Sequence, residues 1–194
     1  MRISFADPSR IGITQGTTPG WHRAGSVFPG LVFVVHLPPM FGLDKYNYTS
    51  DRTFRVYSFL SNGPNGPIQK IAKFTEMGQN IFNFGFGDYD PVTNDISDTS
   101  ISNNQDTDVI MGTLGSIIYD FTNLFLEAAI FVQGTNKSRT RLYQMNINKH
   151  WERISHIFEV FGLKGERWEP FKKGVNYDAF LGRRRGASFI IDNQ

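Results

Sequence analysis

AAIFVQGTNKSRTRLYQMNINKHW, residues Ala128–Trp151, runs from an apolar segment through Gly-Thr-Asn into a basic one. Ala128 to Val132 is apolar throughout, which suits a strand buried on both faces. Gly134 is expected to permit the turn, and Asn136 or Ser138 to cap the helix that follows. That helix start leaves unpaired backbone N–H groups beside Lys137, Arg139 and Arg141, and such groups together with the helix dipole attract anions. Cations near an N-terminus oppose the dipole, a small cost that a bound anion removes. The candidate ligand-binding set is therefore Gly134, Thr135, Asn136, Lys137, Ser138, Arg139, Arg141 and Tyr143. Tyr143 lies one turn beyond Arg139, so it either points at the anion or packs in the core. The cations have a second reading, as partners of the acidic loop at 88–98. Arg139 and Arg141 are two apart and must diverge on a helix.

Upstream, Ile110, Leu114, Ile117, Ile118, Phe121 and Phe125 share one helical stripe, predicting a helix from about Thr107 to Phe125 with Asp106 or Thr107 as cap. Gly112 and Gly115 within it would allow close packing on a sheet, or the approach of a ligand. Residues 52–59 alternate and are rich in β-branched and aromatic side chains. Ser61-Asn-Gly-Pro-Asn-Gly-Pro67 is a dense turn signal. Strands over 68–75 and 81–87 complete an antiparallel meander, with Phe82, Phe84 and Phe86 on one face. That face reads as core under helices, or as a platform for nucleobases. Asp88 to Asp95 is an acidic tip whose spacing fails a calcium loop, since Val92 stands fifth and no glycine stands sixth. A short edge strand is expected over 96–102.

Downstream, Ser155–Phe161 and Glu166–Phe171 read as a hairpin turning at Gly162-Leu-Lys-Gly165. Residues 172–181 read as a polar connection with an apolar end, and Arg183-Arg-Arg185 as a solvated basic tail. The fold class is α+β: an antiparallel β-meander, then helix–strand–helix and a C-terminal β-hairpin, in one mixed sheet with two main helices. A single domain is expected over 40–185, with 186–194 as a tail. Residues 1–39 hold five of the nine prolines and no sustained period, so they are expected to be disordered or loosely attached, with Met40 as the natural start.

The formal charge of +2 hides a segregation. Phe74–Asn136 carries nine acids and no Lys or Arg, whereas Lys137–Arg185 carries twelve bases against five acids. Two solvated faces would explain this, as would a basic surface for a polyanion or for the acidic face of another subunit. The absence of cysteine excludes disulfides, thiolate catalysis and cysteine-bound zinc. His150 and His156 have no carboxylate at ligand-like spacing, so no metal and no cofactor is expected. No Walker loop, dinucleotide fingerprint or nucleophile elbow occurs. The apolar run Gly30–Leu37 is too short to span a bilayer, and no secretory signal opens the chain, so a cytoplasmic protein without a membrane partner is expected.

FNFGFGDYD (82–90), Ser102-Asn-Asn104, GTNKSRTRLYQM (134–145) and WEPFKKGVNYDAFL (168–181) together resemble an uncharacterised bacterial family of compact single-domain proteins, frequent in Bacteroidota. The resemblance covers about 43–185. It implies one α+β domain and supplies no catalytic residue. A looser similarity links Asn136 and Leu142-Tyr143 to acetyl-CoA-dependent N-acyltransferases. Those proteins carry a pyrophosphate-binding glycine motif before the central helix, where this chain has the acidic, glycine-free Ser102–Asp108. Three functions follow as expectations. The first is a non-enzymatic domain binding a phosphate-bearing ligand or nucleic-acid backbone. The second is a small enzyme, acyltransferase-like or a toxin–antitoxin nuclease, using Arg139, Arg141 and Tyr143. The third is a structural or partner-binding module, for a protein partner or for self-association as a homodimer, in which acidic and basic faces pair between subunits.

Overall fold

The computed structural model describes residues 13–15, 33–35, 42–97 and 103–187. Two compact units interleave along the chain. One takes residues up to Lys73 together with Phe86–Ile117; the other takes Phe74–Gly85 and everything from Ile118 onward. Most of 1–39, and most of the tail at 186–194, lie outside the described residues, so the expectations for them do too. Within the former, β1 (Ile13–Gln15) and β2 (Phe33–Val35) pair antiparallel.

In the first unit β2 leads to β3 (Tyr48–Ser50), β4 (Val56–Gly63) and β5 (Gly66–Gly78), each antiparallel to the one before. The meander is as the alternation implied, but β4 begins at Val56. Asp51 delays it: its carboxylate accepts the N–H groups of Arg55 (3.0 Å) and Val56 (3.1 Å), holding 51–55 as a turn. β6 (Ile81–Asp90) turns back into β7 (Asp95–Ile96), so the acidic stretch is a hairpin tip. The remainder of the expected edge strand, from 98 to 102, lies outside the described residues. Phe59 stacks between Tyr46 (6.0 Å) and Phe86 (6.1 Å). Lys70, directly opposite Phe59, forms an ion pair with Asp88, the side chains being 3% and 12% exposed. A second pair, Lys73 with Asp95 (2.9 Å), lies at the surface. α1 (Thr107–Leu124) follows, with Leu114 and Ile117 buried. Gly112 abuts the Asp44 backbone carbonyl, so its close packing is against a loop.

In the second unit the last turns of α1 lie on the phenylalanine face. Phe121 stacks on Phe74 (3.7 Å) and meets Phe82 edge-on (5.1 Å), while Phe84 tilts against Phe74 (4.9 Å). This face is core, and it is not available as a base platform. β8 (Ala129–Val132) runs parallel to β6, which makes the sheet mixed, and its buried Ala129 and Ile130 fit the apolar run. Then come α2 (Lys137–Lys149), α3 (Trp151–Ile157), β9 (Phe158–Lys164), β10 (Arg167–Pro170) and β11 (Ala179–Arg184).

Three details differ from the sequence reading. Ser155–Ile157 is helical, because helical hydrogen bonding carries on through His150: its N–H reaches Asn146 (3.1 Å) and its carbonyl accepts from Ile154 (3.0 Å). The hairpin turns at Gly165, whose φ of 61° favours glycine, whereas Gly162 lies inside β9 with the Tyr177 ring where a β-carbon would be. The polar connection ends in a strand, β11, inserted between β8 and β9 and antiparallel to both. Arg184 is consequently not a solvated tail residue. Its guanidinium donates to Thr122 Oγ1 (3.0 Å), the Tyr119 carbonyl (2.9 Å) and Asn123 Oδ1 (2.7 Å), and stacks on Tyr119 (4.1 Å). Among the described residues no helix is long and apolar enough to cross a membrane.

Candidate functional site

The β8–α2 junction is built by side chains that serve the backbone. Asn136 is the N-cap: its Oδ1 accepts the Arg139 N–H at 2.9 Å from an extended backbone. Thr140 Oγ1 accepts the Gly134 N–H (3.1 Å) and donates to the Asn136 carbonyl (3.3 Å). Gly134 is fixed by close approach, since a β-carbon there would overlap the Thr140 amide nitrogen. Buried Gln144 donates to the Val175 carbonyl (2.6 Å) and accepts the Tyr177 N–H (3.2 Å), tying the helix to the 172–178 segment.

These contacts fix which predicted residues come together. Thr135, Asn136, Lys137, Ser138 and Arg141 are exposed at the open end of α2. Lys137 and Arg141 are four apart, hence neighbours on the helix surface. Arg139 diverges and is half-buried. Tyr143 packs against the cluster of Phe171, Tyr177 and Phe180, so of its two readings the core contact is the one observed. α2 contains no acid, and among the described residues neither Lys137 nor Arg141 has an ion-pair partner, while Asp88 and Asp95 of the acidic tip pair with Lys70 and Lys73. No three His, Asp or Glu side chains among the described residues converge as a metal would require.

A second polar constellation, in the first unit, escaped sequence reading. Asp106 Oδ2 accepts from the Ser61 hydroxyl (2.6 Å) and the Tyr46 hydroxyl (2.8 Å). Asn104, 3% exposed, donates to Ser61 Oγ (3.0 Å) and the Gly66 carbonyl (3.1 Å) and accepts the Asn65 N–H (2.9 Å). Asn103 and Gln105 flank it with φ of 34° and 57°. Its members satisfy one another and Ser61 is fully buried, so the network clamps the β4–β5 turn to the start of α1. The signal in the sequence was Asn103-Asn-Gln-Asp106, polar residues that tolerate positive φ; their partners, 38 to 60 positions earlier, leave no local trace.

The family of unknown function DUF6934 matches residues 42–185, more than half of the chain. The chain belongs to DUF6934. No curated protein and no solved structure matches it. The DUF6934 match takes in both constellations, the Asn104–Asp106 network and the α2 end.

Burial raises the Tyr143 phenol above its ordinary 10.0, with the Arg139 charge acting against the rise. A pKa raised in the folded state favours the protonated form, so the folded protein is expected to lose stability as pH climbs through and past 10.0. Tyr46 and Tyr177 shift the same way. Urea midpoints between about pH 8 and about pH 11 should fall, and should fall less in Tyr143→Phe, which keeps the ring and removes the proton. Equal slopes in both proteins would show that Tyr143 is not part of the effect.

Proposed function

We propose that this domain binds a phosphate-bearing ligand or nucleic-acid backbone at the N-terminal end of α2, without catalysing a reaction. The observation that carries this is the pairing of exposed Lys137 and Arg141 beside an open first turn in a helix without acids. The first backbone N–H groups of a helix lack intrahelical acceptors, and two cations one turn apart add charge where those groups face solvent. An enzyme using Arg139, Arg141 and Tyr143 together has less support, because Tyr143 is packed against Phe171 and its neighbours. A cytoplasmic setting suits this reading, and self-association through opposite charges competes with it.

The test is thermal stability of the full chain with inorganic phosphate, nucleotides, CoA and short oligonucleotides, each repeated with Arg141→Ala. A ligand at a hundred times its Kd stabilises the folded state by about 2.7 kcal/mol. A melting shift lost in Arg141→Ala is expected. No shift with any of them, together with a dimer that weakens in salt, would replace this reading with self-association.

A further inference from the structure

We infer that two copies of this chain join edge to edge through β10, antiparallel and centred on Trp168. β10 ends the strand order of the second unit: β9 pairs with one side of it, and among the described residues no strand pairs with the other. The Phe171 N–H, just past β10, donates to the Val160 carbonyl of β9 (2.9 Å). Backbone groups alternate in direction along a strand, so the N–H and carbonyl of Trp168 face away from β9. Two antiparallel copies let each Trp168 exchange both hydrogen bonds with the other. Pro170, which has no N–H, ends the ladder.

The side chains select both the partner and the register. Glu169 stands opposite Gly162, where the Tyr177 ring lies, and its Oε1 accepts the Tyr177 hydroxyl (2.9 Å). Arg167 shares that face; it is exposed, and among the described residues it has no ion-pair partner. Trp168 takes the opposite face, part-buried and edge-on to Phe131 (6.3 Å). With Trp168 opposite Trp168, each Arg167 faces the Glu169 of the second copy, making two ion pairs related by the two-fold axis. The neighbouring registers that keep the hydrogen-bonding sides matched are shifted by two residues. One sets Arg167 against Arg167 and the other sets Glu169 against Glu169, and like charges directly opposite are destabilising. Glu169 has room for the arginine without giving up its present contacts. Lys172 stands 3.7 Å from its Oε2, and an ionised carboxylate offers about four acceptor sites. A strand of a single charge sign would satisfy only one of the two positions, whereas a second copy satisfies both.

Sedimentation equilibrium of the full chain measures the association. A four-residue edge buries far less than the roughly 1,200 Å² of a standard interface, so a weak dimer that grows with concentration is expected. Arg167→Glu turns both ion pairs into like-charge pairs and should weaken the dimer about 30-fold. Glu169→Arg should do the same. An equimolar mixture of the two single variants should associate as tightly as the parent, because every cross-strand pair is then again of opposite sign. Arg141→Ala should leave the dimer intact, which separates this contact from one through the basic end of α2. Glu169→Arg gives up the Tyr177 bond, so urea unfolding checks its fold; Arg167→Glu, at an exposed position, carries the test by itself. A chain that stays monomeric at every concentration overturns the inference and leaves this edge to the residues after 187 or to another protein. A dimer unmoved by Arg167→Glu, or lost in Arg141→Ala, overturns it in favour of a different surface.

Discussion

Phe121→Ala is expected to cost about 3–5 kcal/mol, the range for truncating a buried aromatic whose neighbours cannot collapse into the gap. Phe121 is fully buried and has three ring partners: Phe74 on β5, Phe82 on β6 and Phe125 just after its own helix. Losing it forfeits the transfer energy of the ring and the aromatic contacts together. For a protein of this size the melting temperature should drop by about 10 °C. Phe121→Leu should recover a large part of the loss, because it refills much of the volume. Urea unfolding of the three proteins measures this, and a loss below about 1 kcal/mol for the alanine variant would mean that the phenylalanine face is not the core of the second unit.

The second large effect is expected at Lys70 and Asp88. Both side chains are withdrawn from water, and the Lys70 ammonium donates to the Asp88 carboxylate on the same sheet face as Phe59 and Phe86. Removing one member of a buried pair leaves the other charge without its counter-ion, at a cost of about 3–5 kcal/mol. Asp88→Ala should fall in that range. Replacing the pair by Lys70→Met with Asp88→Leu should bring stability close to the parent, since desolvation of two ions largely offsets their attraction. If the double variant is as unstable as Asp88→Ala, the loss reflects packing around position 88 and not charge.

How much of this was legible follows from how far each signal extends along the chain. The Phe82-Phe84-Phe86 alternation and the stripe from Ile110 to Phe125 are local and periodic, and they gave the meander, α1 and an α+β class. β11 was legible only as an apolar end at Ala179-Phe180-Leu181, because the Gly182-Arg-Arg184 that completes the strand shows neither alternation nor apolarity. Arg184 is acceptable there only because Tyr119, Thr122 and Asn123, some sixty residues earlier, receive its guanidinium. The seven residues of α3 span about two turns, too few for a helical period to separate from the strand that follows. At the candidate site, the cap and the open helix end could be read from Gly134 to Ser138. The direction of each side chain beyond them could not, because it depends on Gln144 being held by Val175 and Tyr177.

The position of β11 has a consequence for synthesis. A strand that the ribosome delivers late occupies the middle of the second unit's sheet, with β8 on one side and β9 on the other. Until residue 184 has cleared the exit tunnel, both neighbours present unpaired edges to other chains. The second unit must therefore complete its sheet after the first has had its chance to form, and the interval between the two is when this protein is most exposed to aggregation.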